Sequence, residues 1–260
     1  MPSDSIVFNR AADFYDETRG FPPGVERAVA ETLRQAGHLT HASQVLEIGI
    51  GTGRIALPLA RHVRAVYGVD LARPMLDRLR AKKSGQRIEV AEADAAHLPF
   101  PADRFDAAIA VHVFHLMAAW QEAAHELARV LRPGAPLLHG WNQGGDSFRP
   151  LREAWEAAIP EDRRQEVGVR WGQRETFLVE QGWRVSGEHS LPYTYLQAPQ
   201  TFLERIEGRV WSRTWQLSDE ELAAGAAAVR AALRAHFPDP QRPVAVTAQF
   251  RVQVLVPPGN

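Results

Sequence analysis

Three glycines at alternate positions are the feature that most constrains the fold of this chain. Gly49, Gly51 and Gly53 separate a short apolar strand from an amphipathic helix in the segment V-L-E-I-G-I-G-T-G-R-I-A-L-P-L-A. Glycine has no Cβ, so it adopts positive φ and lets the backbone approach a ligand closely. The first N–H groups of the following helix have no partner within the helix and face the turn. The order strand, glycine turn, helix therefore predicts an α/β fold with a polar ligand bound at this turn.

The glycines alone do not identify the ligand. Three of them exceed what a simple turn requires, which favours a binding role over a purely structural one. Gly51, Gly53 and Ala56 also satisfy the pattern G-x-G-x-x-A, which is typical of dinucleotide binding. From this stretch, a nicotinamide dinucleotide and other adenine-containing cofactors both remain open.

A second predicted strand carries an acidic residue at the position that an adenosine-binding fold requires. The apolar run from Ala65 to Val69 is followed by Asp70, which lies about 20 residues beyond the glycine turn. A carboxylate at this position binds the two hydroxyl groups of a ribose. The alternative is an N-cap for the helical pattern that follows. The glycine turn upstream favours the ribose role.

Two further strands follow. Residues 87–91 have the pattern of a third strand, and Asp94 comes shortly after it. The sequence F-D-A-A-I-A-V, which ends at Val111, has the continuous apolar character of a parallel strand buried on both faces. With Glu47 in the first strand and Asp70 after the second, an acidic residue is associated with each of three successive strands.

Together these segments resemble the class I S-adenosylmethionine-dependent methyltransferases that act on small molecules. The resemblance runs from about Phe8 to His139 and is carried by E-x-G-x-G-x-G at the turn, E-A-D-A-A-H-L-P-F-P after the third strand and R-V-L-R-P-G-A before the fifth. It implies a doubly wound, Rossmann-like α/β sheet of seven strands in the order 3-2-1-4-5-7-6 with the last strand antiparallel. An N-terminal arm and a helical lid insertion complete the expected fold. The implied cofactor is S-adenosylmethionine.

The same resemblance assigns roles to the acidic residues. It implies that Glu47 helps to hold the ammonium of the methionyl moiety, Asp70 the ribose, and Asp94 the adenine amino group. The backbone N–H of Ala95 is expected to reach the adenine ring. The remaining expected cofactor contacts are Gly49, Ile50, Gly51, Gly53, Leu71 and Val111.

The N-terminal segment F-N-R-A-A-D-F-Y-D-E-T-R-G-F-P-P resembles the arm that folds across the cofactor in this family. In the family, the tyrosine of Y-D-x-x-R packs over the methionyl side and the arginine binds its carboxylate, which makes Tyr15 and Arg19 candidates here. Arginine suits a carboxylate because its planar fork donates two parallel hydrogen bonds. A surface arm with a solvated arginine remains the alternative.

We expect a single methyltransferase domain over residues 1–260. Its expected parts are an N-terminal arm and helix (1–36), a cofactor-binding core (43–142), two helical lid insertions (143–172 and 192–243) and a closing strand (244–256). Helical patterns in the insertions cover residues 151–158, 201–211 and 219–237, the last with Ser218 as its N-cap. The aromatic residues of the insertions either line an acceptor pocket or form a core that joins the lid to the sheet.

Composition removes several function classes. The net charge of −1 argues against a large basic surface for binding nucleic acid. The sequence has no cysteine, so it contains neither a disulfide framework nor a cysteine metal site, and we expect no metal. Lys82 and Lys83 are the only lysines, so neither a P-loop nor the Tyr-x-x-x-Lys pair of short-chain dehydrogenases can be built. Without a signal-peptide pattern or an apolar run of roughly 18 residues, a cytoplasmic protein that does not enter the membrane is expected.

Three histidines are candidate general bases, which methyl transfer needs only when the acceptor must lose a proton. His112 and His115 follow the fourth strand and are the catalytic candidates, and His139 ends the fifth. A structural histidine bonded to backbone is the alternative for each. The position after the fourth strand reads V-H-V-F instead of the polar-Pro-Pro-aromatic tetrad of enzymes that methylate base nitrogens or glutamine amides. We therefore expect a small-molecule acceptor.

Two other function classes stay open. A NAD(P)-dependent oxidoreductase is supported by Gly51, Gly53, Ala56 and Asp70, and opposed by Asp94 and by the missing Tyr-x-x-x-Lys pair. A non-catalytic S-adenosylmethionine-binding protein would retain the cofactor site without a productive acceptor pocket. The sequence predicts no oligomeric state.

Overall fold

The computed structural model describes residues 7–9, 12, 14–164 and 173–259. Within them the strands are β1 (Gln44–Ile48), β2 (Ala65–Asp70), β3 (Ile88–Glu92), β4 (Ala107–Val111), β5 (Leu137–Gly144), β6 (Arg184–Gln197) and β7 (Val244–Val256). The α-helices are α1 (Tyr15–Arg19), α2 (Val25–Ala36), α3 (Ala56–Leu59), α4 (Arg73–Lys82), α5 (Trp120–Val130), α6 (Arg149–Ala158), α7 (Gln173–Glu180), α8 (Gln200–Glu207) and α9 (Asp219–His236).

The seven strands form one sheet in the order β3-β2-β1-β4-β5-β7-β6. All neighbouring pairs from β3 to β5 are parallel. The register sets Glu47 of β1 beside Gly68 of β2 and Ile109 of β4. The carboxyl ends of these strands therefore meet at one edge of the sheet, which we call the carboxyl edge, and the strand order reverses between β1 and β4.

The far side of the sheet is antiparallel. The N–H of Gly145, just after β5, donates to the carbonyl of Thr247 in β7 at 2.9 Å, and the Gln249 amide donates to Gln143 at 3.0 Å. Residue numbers therefore rise along β5 as they fall along β7. The contacts between β6 and β7 follow the same rule. The predicted mixed sheet, with its order and its antiparallel last strand, is confirmed.

The central strands are buried on both faces. Every residue of β4 is buried, as is β1 from Val45 to Ile48. Helix α2 buries Val29 and Leu33, and α5 buries Leu127. This two-sided burial is the reason that the strands appear in the sequence as continuous apolar runs.

The chain divides into two compact units. The first comprises residues within 1–142, 167–191 and 250–260, and the second comprises residues within 143–166 and 192–249. The second unit has a core of its own, formed by α6, α8 and α9 around Trp155, Phe202 and Val229. These aromatic side chains serve the interior of the unit. The lid role of the segments in this unit stays a prediction.

Helices α8 and α9 test two helix predictions. Helix α9 begins after Ser218 in a capping box, because the Ser218 hydroxyl accepts from the N–H of Glu221 and the Glu221 carboxylate accepts from the N–H of Ser218. The predicted N-cap is confirmed. The helix predicted over residues 201–211 ends instead at Glu207, two residues before Arg209, whose φ of 49° is left-handed.

The helix after the glycine turn is a single turn. The amphipathic pattern forms only the single turn Ala56–Leu59 of α3. Pro58 lies within this turn, where the missing N–H of proline removes no intrahelical bond. The chain then turns back, because β2 begins at Ala65. The glycine turn is therefore followed by one turn of helix before the chain enters β2.

Strand β6 extends past the predicted start of the second insertion. It runs to Gln197 and passes through Pro192, where the second insertion is predicted to begin. Proline cannot donate to a strand ladder, and it is tolerated here because β6 is the edge strand of the sheet. The predicted insertion thus starts inside a strand.

Helix length and polarity bear on membrane insertion. The longest described helix, α9, has 18 residues and opens with Asp219, Glu220 and Glu221. Within the described ranges, no helix combines the length and the apolar character needed to cross a bilayer.

Candidate functional site

All three glycines of the turn adopt positive φ, as predicted. The φ angles are 64° at Gly49, 54° at Gly51 and 81° at Gly53. A Cβ at Gly49 would overlap the side chain of Val113, and one at Gly53 would lie 2.8 Å from Leu79. At Gly51 no atom would come closer than 3.4 Å. Packing therefore requires glycine at two of the positions, whereas Gly51 combines a left-handed backbone with room for a ligand.

Ile50 shapes the turn by packing into the core. A Cβ at Gly68 of β2 would overlap the Ile50 side chain, so glycine at that position makes room for it. The N–H of Ile50 donates to the carbonyl of Val69 at 3.1 Å, and its carbonyl accepts from the N–H of Gly53 at 3.0 Å. Both backbone groups of Ile50 are engaged within the protein. A cofactor contact by Ile50 stays a prediction.

Glu47 is buried near the end of β1, with 3% of its surface exposed. Its Oε2 atom has no hydrogen-bond partner among the residues that the structure describes. Burial raises the pKa of Glu47 to about 8; the charge of Arg54 opposes this shift and that of Asp70 adds to it. A buried polar atom without a partner is costly. This carboxyl is therefore suited to receive a cationic or hydrogen-bond-donating group of a ligand.

Asp70 ends β2 and binds two backbone N–H groups. Its Oδ2 accepts from Gly51 at 2.9 Å, and its Oδ1 accepts from Ala72 at 2.8 Å. Burial raises the pKa of Asp70, while the N–H groups of Ala72, Gly51 and Leu71 act in the opposite direction. Since the N-cap of α4 is Ala72, Asp70 supports the helix start from two residues upstream. Each carboxylate oxygen has a further lone pair, and the ribose role stays a prediction.

Asp94 lies two residues beyond the end of β3. Its Oδ1 accepts from the N–H of Ala96 at 3.0 Å, and the neighbouring Ala95 is buried. Strands β3, β2 and β1 are adjacent, at the spacing of about 4.8 Å that is usual in sheets. The structure therefore brings Glu47, Asp70 and Asp94 to one stretch of the carboxyl edge. Their contacts with an adenosyl group stay predictions.

The other two expected contacts belong to the same edge. Leu71 directly follows β2 and is half-buried. Val111 is the last residue of β4, where it is buried and pairs with Gly140 of β5. The cofactor contacts of Leu71 and Val111 stay predictions.

The N-terminal arm packs against α4. Tyr15 meets Phe8 edge to face, with ring centroids 5.9 Å apart. These two rings and the buried Ala12 pack together with Ala72 and Met75. The arm is thus anchored by apolar contacts beside the end of β2 and the start of α4.

Asp16 ties helix α1 to the glycine turn. Its Oδ1 accepts from the hydroxyl of Thr52 at 2.5 Å, and its Oδ2 accepts from Nζ of Lys82 at 2.8 Å. Arg19 is the last residue of the same helix. The side chain of Arg19 lies outside the described residues, so its predicted carboxylate contact stays a prediction.

The two catalytic candidates differ in their surroundings. His112 follows β4 with a left-handed φ of 52°, and its Nε2 accepts from the N–H of Asn142 at 2.9 Å. This nitrogen can take up a proton only if that hydrogen bond breaks. His115 lies in the 3₁₀ turn Phe114–Leu116 and is half-buried. The structure brings the two histidines to the end of β4 but does not test their role.

His139 is buried in β5 and bonded to a buried arginine. Its Nε2 lies 2.9 Å from Nη1 of Arg174 in α7. Burial, followed by the charges of Arg174, His112 and His115, lowers the pKa of His139 well below its usual value. Burial also lowers the pKa of Arg174 to about 10, against the charge of Glu175. Because the surroundings disfavour a protonated imidazole, His139 suits a structural role better than that of a general base.

Four residues of this region carry no functional expectation from the sequence: Asp16, Thr52, Lys82 and Arg174. Asp16 is 36 residues from Thr52 and 66 from Lys82, so their bonds leave no local pattern. The signal that could have found them is weak. Asp16 belongs to Y-D-x-x-R and Thr52 to G-x-G-T-G, and both are polar side chains within segments already expected to adjoin the cofactor.

The chemistry of these groups fits an aminoacyl nucleoside. S-adenosylmethionine has an ammonium that can donate hydrogen bonds to Glu47 and ribose hydroxyls that can donate to Asp70. A nicotinamide dinucleotide has hydroxyl and amide donors but no ammonium that could form a charge-assisted hydrogen bond with Glu47. The described residues hold no cluster of three or more His, Asp or Glu side chains able to bind a metal.

The chain also resembles known methyltransferases in sequence. Residues 46–138 match the family described as "Methyltransferase domain". The chain is 40% identical over 116 residues to the demethylmenaquinone methyltransferase of Thermus thermophilus, which covers 43% of this chain and 50% of that protein. It is 33% identical over 180 residues to the fatty-acid O-methyltransferase of Mycolicibacterium smegmatis, which covers 65% and 64% respectively. The chain spans about half the length of the first curated relatives it matches.

Solved structures share the fold. A provisionally named methyltransferase of Bacillus halodurans C-125 superposes with a TM-score of 0.61 at 20% identity. The likeness covers 89% of this chain and 99% of that protein. At this identity it concerns the fold, including the part of the chain that lies beyond the family match.

Proposed function

We propose that this protein, whose residues 46–138 match the family described as "Methyltransferase domain", transfers a methyl group from S-adenosylmethionine to a small-molecule acceptor. The observation that carries the proposal is the buried carboxyl of Glu47, whose Oε2 has no partner among the described residues. Glu47 lies near the end of β1, just before the glycine turn at which we propose that the cofactor binds. An ammonium group would supply the missing partner and favour the ionised carboxylate.

The remaining roles follow from the carboxyl edge. Asp70 would hold the ribose while it keeps its bonds to Gly51 and Ala72. Asp94 would accept from the adenine amino group, and the N–H of Ala95 would donate to the ring. The proposed further contacts are Tyr15, Arg19, Gly49, Ile50, Gly51, Gly53, Leu71 and Val111.

The chemistry requires little more than positioning from the protein. S-adenosylmethionine, when bound, supplies an electrophilic methyl group on a sulfonium sulfur. The chain would align the acceptor atom with that methyl group and exclude water, an effect that contributes about 7 to 11 kcal/mol to lowering a barrier.

A base is needed where the acceptor must lose a proton. His115 is the better candidate of the two, because Nε2 of His112 already accepts from the N–H of Asn142. Protonation of His112 would break that bond and leave a backbone donor unpaired. His115 would accept the proton of the nucleophilic atom as the bond to the methyl group forms.

We infer a small-molecule acceptor with an apolar body. The two curated relatives are named for demethylmenaquinone and for fatty acid, which are small and largely apolar compounds. Net charge supports this choice over nucleic acid, because the chain carries −1 and lacks a global basic excess. A methyl-transfer screen over phenols, carboxylic acids, amines and thiols tests it.

Calorimetric titration tests the cofactor. We expect S-adenosylmethionine and S-adenosylhomocysteine to bind wild-type protein and NAD(H) not to bind. Glu47→Gln should weaken both methionine nucleosides, whereas Asp77→Asn, an exposed carboxylate of α4 paired with Arg80, should leave them unchanged. Binding of NAD(H) without a response to the methionine nucleosides would overturn the proposal. Cofactor binding with no turnover across the screen would leave a non-catalytic S-adenosylmethionine-binding protein as the alternative.

A further inference from the structure

The side chain of Asp16 in α1 bonds both to the glycine turn and to α4. Its two carboxylate oxygens bind different elements, since Oδ1 accepts from Thr52 at 2.5 Å and Oδ2 accepts from Lys82 at 2.8 Å. Thr52 lies between Gly51 and Gly53, and Lys82 ends α4. One carboxylate thus connects three elements that are far apart in the sequence.

The apolar contacts of the arm lie beside these bonds. Tyr15, the neighbour of Asp16, packs with Phe8 against Met75 of α4. The Cε atom of Met75 is also the atom nearest to the position that a Cβ at Gly51 would occupy, at 3.4 Å. Met75 of α4 therefore packs against the arm and lies beside Gly51 of the glycine turn.

The exposure of the three partners indicates a connection that can open. The side chains of Asp16 and Lys82 are 44% and 35% exposed, whereas Thr52 is buried at 1%. Ion pairs with this exposure are weak because water competes for both charges. The Thr52 hydroxyl is withdrawn from water, so its bond to a charged acceptor is the stronger of the two. Opening would break two bonds at once and leave the core of the sheet unchanged.

We propose that Asp16 is the latch of the N-terminal arm. By binding Thr52 and Lys82, it holds α1 beside the glycine turn and so sets how fast the adenosyl cofactor enters and leaves. The identity of the ligand rests on the proposed function, whereas the latch itself does not. Asp16 acts through Thr52 and the arm, and is thus a positioning residue.

The two lysines of the chain provide a matched pair for the test. Lys82 binds Asp16, whereas its neighbour Lys83 binds the carbonyl of Ile88 at 2.7 Å. Lys82→Met removes a latch partner and leaves the sequence of α1 intact. Lys83→Met removes the same charge one residue away and is the control. Lys82→Arg restores a cation and should rescue the wild-type behaviour.

Hydrogen exchange without any ligand tests the latch. We expect the amides of α1 to exchange about tenfold faster in Asp16→Ala, which loses both bonds, and about threefold faster in Lys82→Met. Lys83→Met should match the wild type. Equal exchange of α1 in all four proteins would overturn the proposal, since α1 would then be held by its apolar contacts alone.

Stopped-flow kinetics with S-adenosylhomocysteine tests the effect on cofactor exchange. An opened arm should raise both the association and the dissociation rate constants, by about threefold to tenfold, with the larger factor on dissociation because α1 carries the proposed cofactor contacts Tyr15 and Arg19. A variant that only distorted the turn would raise dissociation and slow association. Faster exchange of α1 with unchanged rate constants would refute the gating role. If wild-type protein does not bind S-adenosylhomocysteine, the proposed function fails, while the exchange experiment still decides whether Asp16 holds the arm.

Discussion

Two buried ionisable side chains, Glu47 of β1 and His139 of β5, lie in the same sheet and differ in what surrounds them. The Oε2 atom of Glu47 has no hydrogen-bond partner in the described part of the chain. His139 is bonded to Arg174 at 2.9 Å, and both of these side chains are buried. Burial favours the neutral form of each, raising the pKa of Glu47 and lowering that of His139.

The difference shows that burial of a titratable group does not mark a functional site by itself. The protein supplies His139 with a partner from its own chain, so its burial has an internal explanation. Glu47 has no such partner for its Oε2 atom among the described residues, and the proposed ammonium of a ligand would supply one. The pair also has opposite effects on stability, because one group is an acid and the other a base.

The largest expected effect is that Glu47→Gln loses the pH dependence of the free energy of unfolding that Glu47 causes in the wild type. In the free protein, burial raises the pKa of Glu47 from 4.5 to about 8, so the folded state keeps a proton that the unfolded chain releases. The free energy of unfolding should therefore fall as pH rises from about 4.5 to about 8, by roughly 3 kcal/mol or more. Urea unfolding at several pH values checks this. Parallel pH profiles of wild type and variant would show that Glu47 is not desolvated.

His139→Ala should remove a pH dependence of the opposite sign and lower the folding stability. The pKa of His139 is lowered by burial, so wild-type protein should lose stability as pH falls below about 6.5, and the variant should lose this acid-side contribution. At pH 8 we expect a loss of about 3 kcal/mol, because a cavity forms and the buried Arg174 is left without its bond to the ring. Urea unfolding measures both, with the exposed His41→Ala as the control, expected within about 0.5 kcal/mol of wild type. A loss equal to that of the control would end the contrast with Glu47.

Asp70→Ala extends the comparison to the next strand of the carboxyl edge. We expect binding of S-adenosylhomocysteine to weaken by about 1.5 to 3 kcal/mol, because charge-assisted hydrogen bonds to ribose hydroxyls are lost. Calorimetry measures the change, and Asp77→Ala in the exposed part of α4 is the matched control. Unchanged affinity would refute the ribose role and leave Asp70 as a structural partner of Gly51 and Ala72.

His112→Asn should have the smallest effect and sharpen the contrast on the side of β4 and β5. Asparagine tolerates the left-handed φ of 52° at this position, but it cannot reproduce the bond from Asn142 to the ring. We expect a loss of about 1 kcal/mol in the free energy of unfolding, with unchanged affinity for S-adenosylhomocysteine. Weaker cofactor binding at unchanged stability would instead assign His112 to the cofactor site.

The predictable part of the fold is the part that local patterns determine. Continuous apolar runs gave the central strands, and glycine at alternate positions gave the positive φ of Gly49, Gly51 and Gly53. Helix α2 ends at Ala36, where the N-terminal arm and helix are predicted to end, and Ser218 caps α9. The sheet order came from the family resemblance and is confirmed.

What escaped prediction depends on contacts between distant residues or on position in the sheet. Proline usually ends a strand, but Pro192 is accommodated because β6 is at the edge of the sheet. The bond from Asn142 to His112 spans 30 residues, and the bonds of Asp16 span 36 and 66. A sequence shows that such side chains can form hydrogen bonds but not with which partner. The acidic residues of the carboxyl edge could therefore be predicted, whereas the partners of Asp16 could not.

The Asp16 latch also determines how the protein should be handled. Lys82 and Lys83 carry the only side-chain amines in the sequence, and Lys82 is accessible at 35% exposure. Amine-coupled surfaces and amine-reactive dyes would therefore acylate the cation that holds the arm and report cofactor exchange from an altered protein. The sequence contains no cysteine, so one cysteine introduced at an exposed position such as His41 gives a unique thiol for tethering that leaves both amines intact.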